Sequence, residues 1–344
     1  VVPKRLAALN RADATHGIDV AKGWVIFLVV IGHVLESKLL NGDETPILEV
    51  AYAWIYSFHM PFYFLLSGWL FKGPQPPGRY LLSKSQRLLV PYMAWLLLFN
   101  AVAIAGLCAN IARGSLTPEK QVFYADLFQN QAYGGMYVHG YEVVLWFPTC
   151  LFLTQQLANA WYASLHRYTV WVLATVLYVV GYLNQYAASD FHLPWGANVV
   201  AGAMPFFVVG HEARRSGWVP EFRLGLPWLM VLVAIAAGQI PLQFHMRAAV
   251  YGIPVVSTVA AASAFMLFLW LASKNWPSSV RTASELLGRT SMTIMYSHCY
   301  FVVLLASLGV STWWIVVPVV TAAGVGLHRL FLSVRPLKVA FAGE

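Results

Sequence analysis

The chain has 344 residues, 59% of them hydrophobic and only 10% charged, with a net charge of +8. A soluble domain carries roughly 25% charged residues, so this chain lacks the charge to cover a water-facing surface and reads as an all-α, polytopic membrane protein. Nucleic acid is excluded as a partner because the Lys and Arg lie in the gaps between apolar runs. Three isolated cysteines, Cys108, Cys150 and Cys299, give neither a disulfide framework nor a metal spacing, so they read as small apolar residues and no metal is expected.

Residues 1–18 are basic without an apolar core, so the first apolar run is expected to be a retained span, not a cleaved leader. A helical crossing needs about 20 mostly apolar residues. Ten stretches meet or approach that length: 20–40, 47–71, 88–109, 142–164, 168–187, 197–213, 226–241, 253–273, 290–308 and 312–332. Between the second and third, "GPQPPGRYLLSKSQR" opens with turn residues and becomes amphipathic, so 72–87 is expected to lie at the cytoplasmic interface. Residues 110–141 are expected to form an extracytoplasmic loop with one short helix. With both termini cytoplasmic, 18 of the 22 Lys and Arg fall inside, and only Lys38, Arg113, Lys120 and Arg247 fall outside. That alternation supports ten crossings in one domain, 1–344. No internal repeat of the transporter kind is present.

Ionisable groups within spans are costly, about 2.5–3.5 kcal/mol for a charge at a helix centre on insertion scales. His33 lies eleven residues beyond Lys22, roughly 16 Å further along a helix, in the outer half of the bilayer. His59 and His298 fall near mid-membrane, where each is either a neutral ring bonded to a neighbouring helix or part of a site. Glu36, at i+3 from His33, either orients that ring or is a solvated residue at the span end. Lys22 is either a snorkelling boundary lysine or a phosphate contact. Lys84 and Arg87 share a helical face, which positive-inside statistics or a polyanion site would both explain. Glu142 opens the fourth span on the side of His33. It binds an acceptor hydroxyl, pairs with His33, or serves as an acidic helix start. His139, Tyr141 and Trp146 would suit a sugar platform.

Five blocks occur in one order: "GIDVAKGWVIFLVVIGH", "YSFHMPFYFLLSGWLFK", "SKSQRLLVPY", "LWFPTCLF" and "LGRTSMTIMYSHCYF". Together they resemble the acyltransferase-3 family of membrane acyltransferases, in the branch of fucose 4-O-acetylase-like and exopolysaccharide O-acetyltransferases. The resemblance implies a helical bundle with a passage through it. It further implies acetyl-CoA taken from the cytoplasmic side as acyl donor and an acetyl group delivered to a glycan hydroxyl. The family's Arg-x10-His pattern falls on Lys22 and His33, with Lys in place of Arg. Its paired basic motif falls on Lys84 and Arg87. The resemblance implies His33 as general base or transient acyl acceptor, supported by Glu36 or Glu142, and Lys22, Lys84 and Arg87 on the donor phosphates. His59, Trp146, Tyr296 and His298 are expected near the substrate, with Tyr296, Ser297 and Trp146 as candidates for stabilising the oxyanion. The partners expected are a glycan or lipid-linked glycan acceptor, membrane lipids and the polysaccharide biosynthesis machinery, at the bacterial inner membrane. A secondary transporter of an anionic or glycan substrate is the alternative.

Overall fold

The computed structural model describes residues 4–42, 45–134, 136, 140–188, 191–239 and 244–343, without the side chains of residues 4–16, 140 and 141. The fold is all-α. Among the described residues the sole extended pairing is an isolated bridge between His245 and Val250.

The first helix, α1 (Lys4–Leu40), contains the first expected span. Its buried residues Ala21, Val25 and Val29, with Ile26, Val30 and Val34 beside them, recur at four-residue spacing and form one apolar stripe. That stripe packs most extensively against α13 (Ser278–Ser307). The two helices touch through glycine. A Cβ on Gly23 would collide with the Ser284 carbonyl oxygen, and one on Gly288 with the carbonyl oxygen of Asp19. Such close backbone approach is how helices associate where lipid removes the hydrophobic drive.

The second expected span is broken. It forms α2 (Pro46–Tyr56) and α3 (His59–Trp69), separated at Ser57 and Phe58. Phe58 leaves helical geometry at φ −146°, Ser57 Oγ donates to the Trp54 carbonyl, and the Trp228 indole donates to Ser57 Oγ. Pro61 falls in the first turn of α3, where a missing N–H costs nothing.

A helix begins at Pro77 (α4, Pro77–Lys84) and runs through a π turn, Ser85–Leu89, into α5 (Val90–Phe99). It then bends by 60° at Asn100 into α6 (Ala101–Ala112). In the 110–141 segment, α7 (Pro118–Ala132) is the expected short helix, N-capped by Thr117.

The remaining expected spans fall on α8 (Trp146–Ser164), α9 (Arg167–Ala187), α10 (Val200–Arg215), α11 (Phe222–Ala236), α12 (Val256–Ala272), the second half of α13, and α14 (Trp313–Ser333). Among the described residues four helices are long and apolar enough to cross a bilayer: Gly17–Leu40, Arg167–Ala187, Ser278–Ser307 and Trp313–Ser333. The bent pair Pro77–Phe99 and Ala101–Ala112 makes a fifth, and Phe222–Ala236 and Val256–Ala272 are shorter apolar helices. The helix α8 carries four buried polar residues, Thr149, Thr154, Gln155 and Asn159.

Candidate active site

The parallel run of α1 and α13 away from the Gly23–Gly288 contact carries His33 up beside His298, with ring centroids 4.9 Å apart. His33 Nδ1 lies 2.9 Å from Glu36 Oε2, so the sequence neighbour at i+3 does hold the ring. Tyr56 completes the clamp. Its hydroxyl donates to the same Glu36 oxygen at 2.8 Å and lies 3.3 Å from His33 Nδ1. A carboxylate on Nδ1 keeps the hydrogen there and leaves the Nε2 lone pair free. His33 thereby has the form of a general base whose orientation and tautomer are set.

His298 and His59 are each tied to their own helix. His298 Nδ1 donates to the Ile294 carbonyl at 2.9 Å, and His59 Nδ1 donates to the Ile55 carbonyl at 3.0 Å. Both rings are buried, and the His59 ring stands 6.5 Å from that of His33 and 4.5 Å from that of Tyr56. Further groups around these rings come from residues absent from the sequence expectations. His245, from the segment between α11 and α12, meets the Tyr52 hydroxyl through Nε2 at 2.7 Å, and its ring lies 5.0 Å from Tyr56. Burial pushes the His245 pKa below its ordinary value of 6.5, while nearby Glu36 pulls the other way. Burial likewise lowers the Arg247 guanidinium.

Cys299 is the larger surprise. Its thiol lies 3.3 Å from His298 Nε2. One ligand atom each from His33, His298 and Cys299 all lie within 4.8 Å of one another. The sequence reading of Cys299 as a small apolar residue is corrected: its neighbours are ring nitrogens.

Other expected residues lie elsewhere. Glu142 is buried and takes hydrogen bonds from Asn100 Nδ2 at 3.0 Å and Gln131 Nε2 at 2.5 Å, and Gln131 Nε2 also donates to Asn100 Oδ1 at 3.1 Å. That triad sits on the Asn100 bend. The partners of Glu142 are therefore these amides, and those of His33 are Glu36 and Tyr56. Tyr296 is fully buried, stacked on Trp95 at 5.7 Å, with its hydroxyl donating to the Leu88 carbonyl. Ser297 donates to the Thr293 carbonyl. Trp146 is buried in the main apolar core beside Phe147. His139 and the side chain of Tyr141 lie outside the described residues.

The basic residues gather at the other end of α13. Lys22 pairs with Asp19 at 3.3 Å, and Asp19 also takes Arg289 at 3.7 Å. Lys84 and Arg87 line a cavity of about 240 Å³ with Leu88, Gln155, Met292 and Gly343. Arg289 and Met292 are one turn apart on α13, so both basic groups flank the same stretch of that helix. A second cavity of about 360 Å³ is lined by Lys72, His211, Arg214 and Arg215.

With this geometry in place, comparison with known proteins decides the family. The family model described as an acyltransferase domain, acyltransferase 3, matches residues 15–328. The chain belongs to the acyltransferase-3 family. The family match and the long apolar helices together give it multi-pass membrane character. Two nodulation proteins NolL are similar to it. That of Sinorhizobium fredii (strain NBRC 101917 / NGR234) is 31% identical over 102 residues, 29% of this chain and 27% of the relative. That of Mesorhizobium japonicum (strain LMG 29417 / CECT 9101 / MAFF 303099) is 34% identical over 96 residues, 26% of this chain and 24% of the relative. The chain thus spans about a quarter of the length of these curated relatives. No solved structure matches. Within this family member, the missed residues Tyr52, Tyr56, His245 and Cys299 are all aromatic, imidazole or thiol groups whose placement depends on contacts between distant helices. The "YSFH" and "HCY" neighbours of His59 and His298 were the sole hint.

Proposed function

We propose that this acyltransferase moves an acetyl group from cytoplasmic acetyl-CoA to a hydroxyl of a cell-surface or exopolysaccharide glycan, or of its lipid-linked precursor. In this reading it is a protein of the bacterial inner membrane with ten crossings and cytoplasmic termini, in the fucose 4-O-acetylase-like and exopolysaccharide branch, working beside the polysaccharide biosynthesis machinery. The observation that carries the reading is His33: a ring held on Nδ1 by Glu36 and Tyr56, which leaves the lone pair on Nε2, on a helix whose other end is basic.

The separation of the two ends supports an elongated donor. Lys22 and His33 are eleven residues apart, roughly 16 Å along the helix. From Met292 in the Lys84–Arg87 cavity to His298 is six residues, roughly 9 Å. Acetyl-CoA has phosphates at one end and a thioester on a long arm. Lys84, Arg87 and Lys22 are the cations available to the phosphates, and the thioester would stand at His33. A sugar hydroxyl is a poor nucleophile, and His33 Nε2 takes its proton as the oxygen attacks the acyl carbon. Glu36 stabilises the imidazolium that forms, and the proton then passes to the departing sulfur. Tyr52, Tyr56, His245 and Arg247 on the outer rim supply hydrogen-bonding groups to a polyhydroxylated acceptor.

The test is CoA release by purified protein given acetyl-CoA and its glycan acceptor. His33→Ala is expected to lower acetyl transfer by about 10²–10⁴-fold while the protein still folds. Full transfer by that variant would refute the assignment of His33.

A further inference from the structure

Cys299 is a buried nucleophile that direct transfer does not use. Buried cysteines ordinarily pack as small apolar groups, and Cys150 is such a case, fully buried in the main apolar cluster among Trp146, Phe147 and Leu151. Cys299 differs in its surroundings. The Nδ1–H of His298 is spent on the Ile294 carbonyl, so the Nε2 that faces the thiol at 3.3 Å carries the lone pair and accepts the S–H. The His33 ring, fixed by Glu36, brings a nitrogen into the same cluster. A thiol with a base on it, and that site completed by a second base held by a carboxylate, is the arrangement by which enzymes form covalent acyl intermediates.

We propose that Cys299 carries the acyl group between donor and acceptor as a thioester, with His298 serving the first half-reaction and His33 the second. The proposal rests on the acyl-transfer reading above. In the first half, His298 Nε2 takes the thiol proton, Cys299 Sγ attacks the thioester carbonyl of acetyl-CoA, and the bond from that carbon to the CoA sulfur breaks. The CoA thiolate leaves with the proton from His298. One thioester replaces another, so the step is nearly balanced in energy and involves no redox change. In the second half, His33 Nε2 takes the proton of the acceptor hydroxyl, the oxygen attacks the acyl carbon, and the carbon–Sγ bond breaks. The Cys299 thiolate recovers a proton from His33, and the ester leaves. The arrangement gives a division of labour between two imidazoles that a single general base does not need.

The experiment uses full-length protein in detergent or nanodiscs with radiolabelled acetyl-CoA, first without acceptor, quenched rapidly, then chased with acceptor. Wild type is expected to release up to one equivalent of CoA and hold label on the Cys299 peptide, removable by neutral hydroxylamine and transferable to the chased acceptor. Cys299→Ala and Cys299→Ser lose the thioester and the transfer while running as folded protein on size exclusion, and Cys150→Ala keeps both. Transfer at the wild-type rate by Cys299→Ala overturns the proposal, as does a wild type that turns over with no thioester on Cys299. Stoichiometric zinc in the purified protein, lost in Cys299→Ala, also overturns it, because the three groups would then be ligands. In each of these cases acceptor acetylation still stands. A wild type that releases no CoA with or without acceptor instead removes the acetyl-CoA reading itself.

Discussion

Two carboxylates, Glu36 and Glu142, both lie on the expected outer side of the bundle, and their surroundings differ in kind. Glu36 is half-buried and holds an imidazole and a phenol, both able to take part in proton transfer. Glu142 is buried and held by two amides, Asn100 and Gln131, which cannot. The first arrangement orients a base. The second satisfies a broken helix at its 60° bend, where freed backbone and side-chain groups need partners. A carboxylate near a membrane site is thus functional or architectural according to what it is bonded to, not where it lies.

The comparison breaks if the two residues respond alike to the same substitution. Glu36→Gln is expected to cost roughly 10–100-fold in acetyl transfer, by analogy with carboxylates that orient metal-ligating histidines, with little change in thermal stability. Glu142→Gln turns an amide donor toward amide donors and is expected to cost about 1–3 kcal/mol of stability, read by thermal or denaturant unfolding, with kcat per folded molecule nearly unchanged. A large rate loss in folded Glu142→Gln would return that residue to the site. At the inner end, Lys84→Ala or Arg87→Ala is expected to raise KM for acetyl-CoA about tenfold, matching roughly 1.5 kcal/mol for one charge-assisted contact, and to spare kcat. Lys22→Ala should shift KM less, because Lys22 is already paired with Asp19.

The smallest effect expected concerns pH. His245 faces Tyr52, Tyr56, Glu36, His33 and Arg247, and burial holds its pKa below 6.5. A histidine depressed on folding binds its proton more readily in the unfolded chain, so its penalty is present at low pH and disappears as pH rises through the ordinary value. The His245 contribution to stability is therefore expected to rise slightly between pH 5 and 7, and His245→Asn should remove that part of the pH slope. An unchanged slope would show that His245 does not titrate against the fold.

The apolar periodicity made the helices legible, and the spacing of Lys22 and His33 made their place on one helix, α1, legible with them. The nearness of Glu36 to His33 was readable too, since i and i+3 share a helix face, but spacing alone does not tell whether Glu36 holds the ring or faces water. Contacts between helices were not readable. The closeness of Cys299 to His33 depends on the crossing at Gly23 and Gly288, residues that look like ordinary span glycines. The clamp by Tyr56 depends on the break at Ser57 and Phe58, inside a run apolar enough to pass for one continuous helix. The role of Glu142 depends on a bend at Asn100, and Asn within a span announces a polar partner without naming it.

The central claim is that an acetyl group leaves CoA at the basic end of α1 and reaches a glycan hydroxyl at the His33 end. Proteoliposomes with acetyl-CoA supplied on the Lys84–Arg87 side alone and the glycan acceptor on the opposite side test it most directly. The account predicts acetylated glycan on the acceptor side, with equimolar free CoA remaining on the donor side. Unmodified glycan together with intact acetyl-CoA, or movement of either compound across the membrane without chemistry, would contradict it.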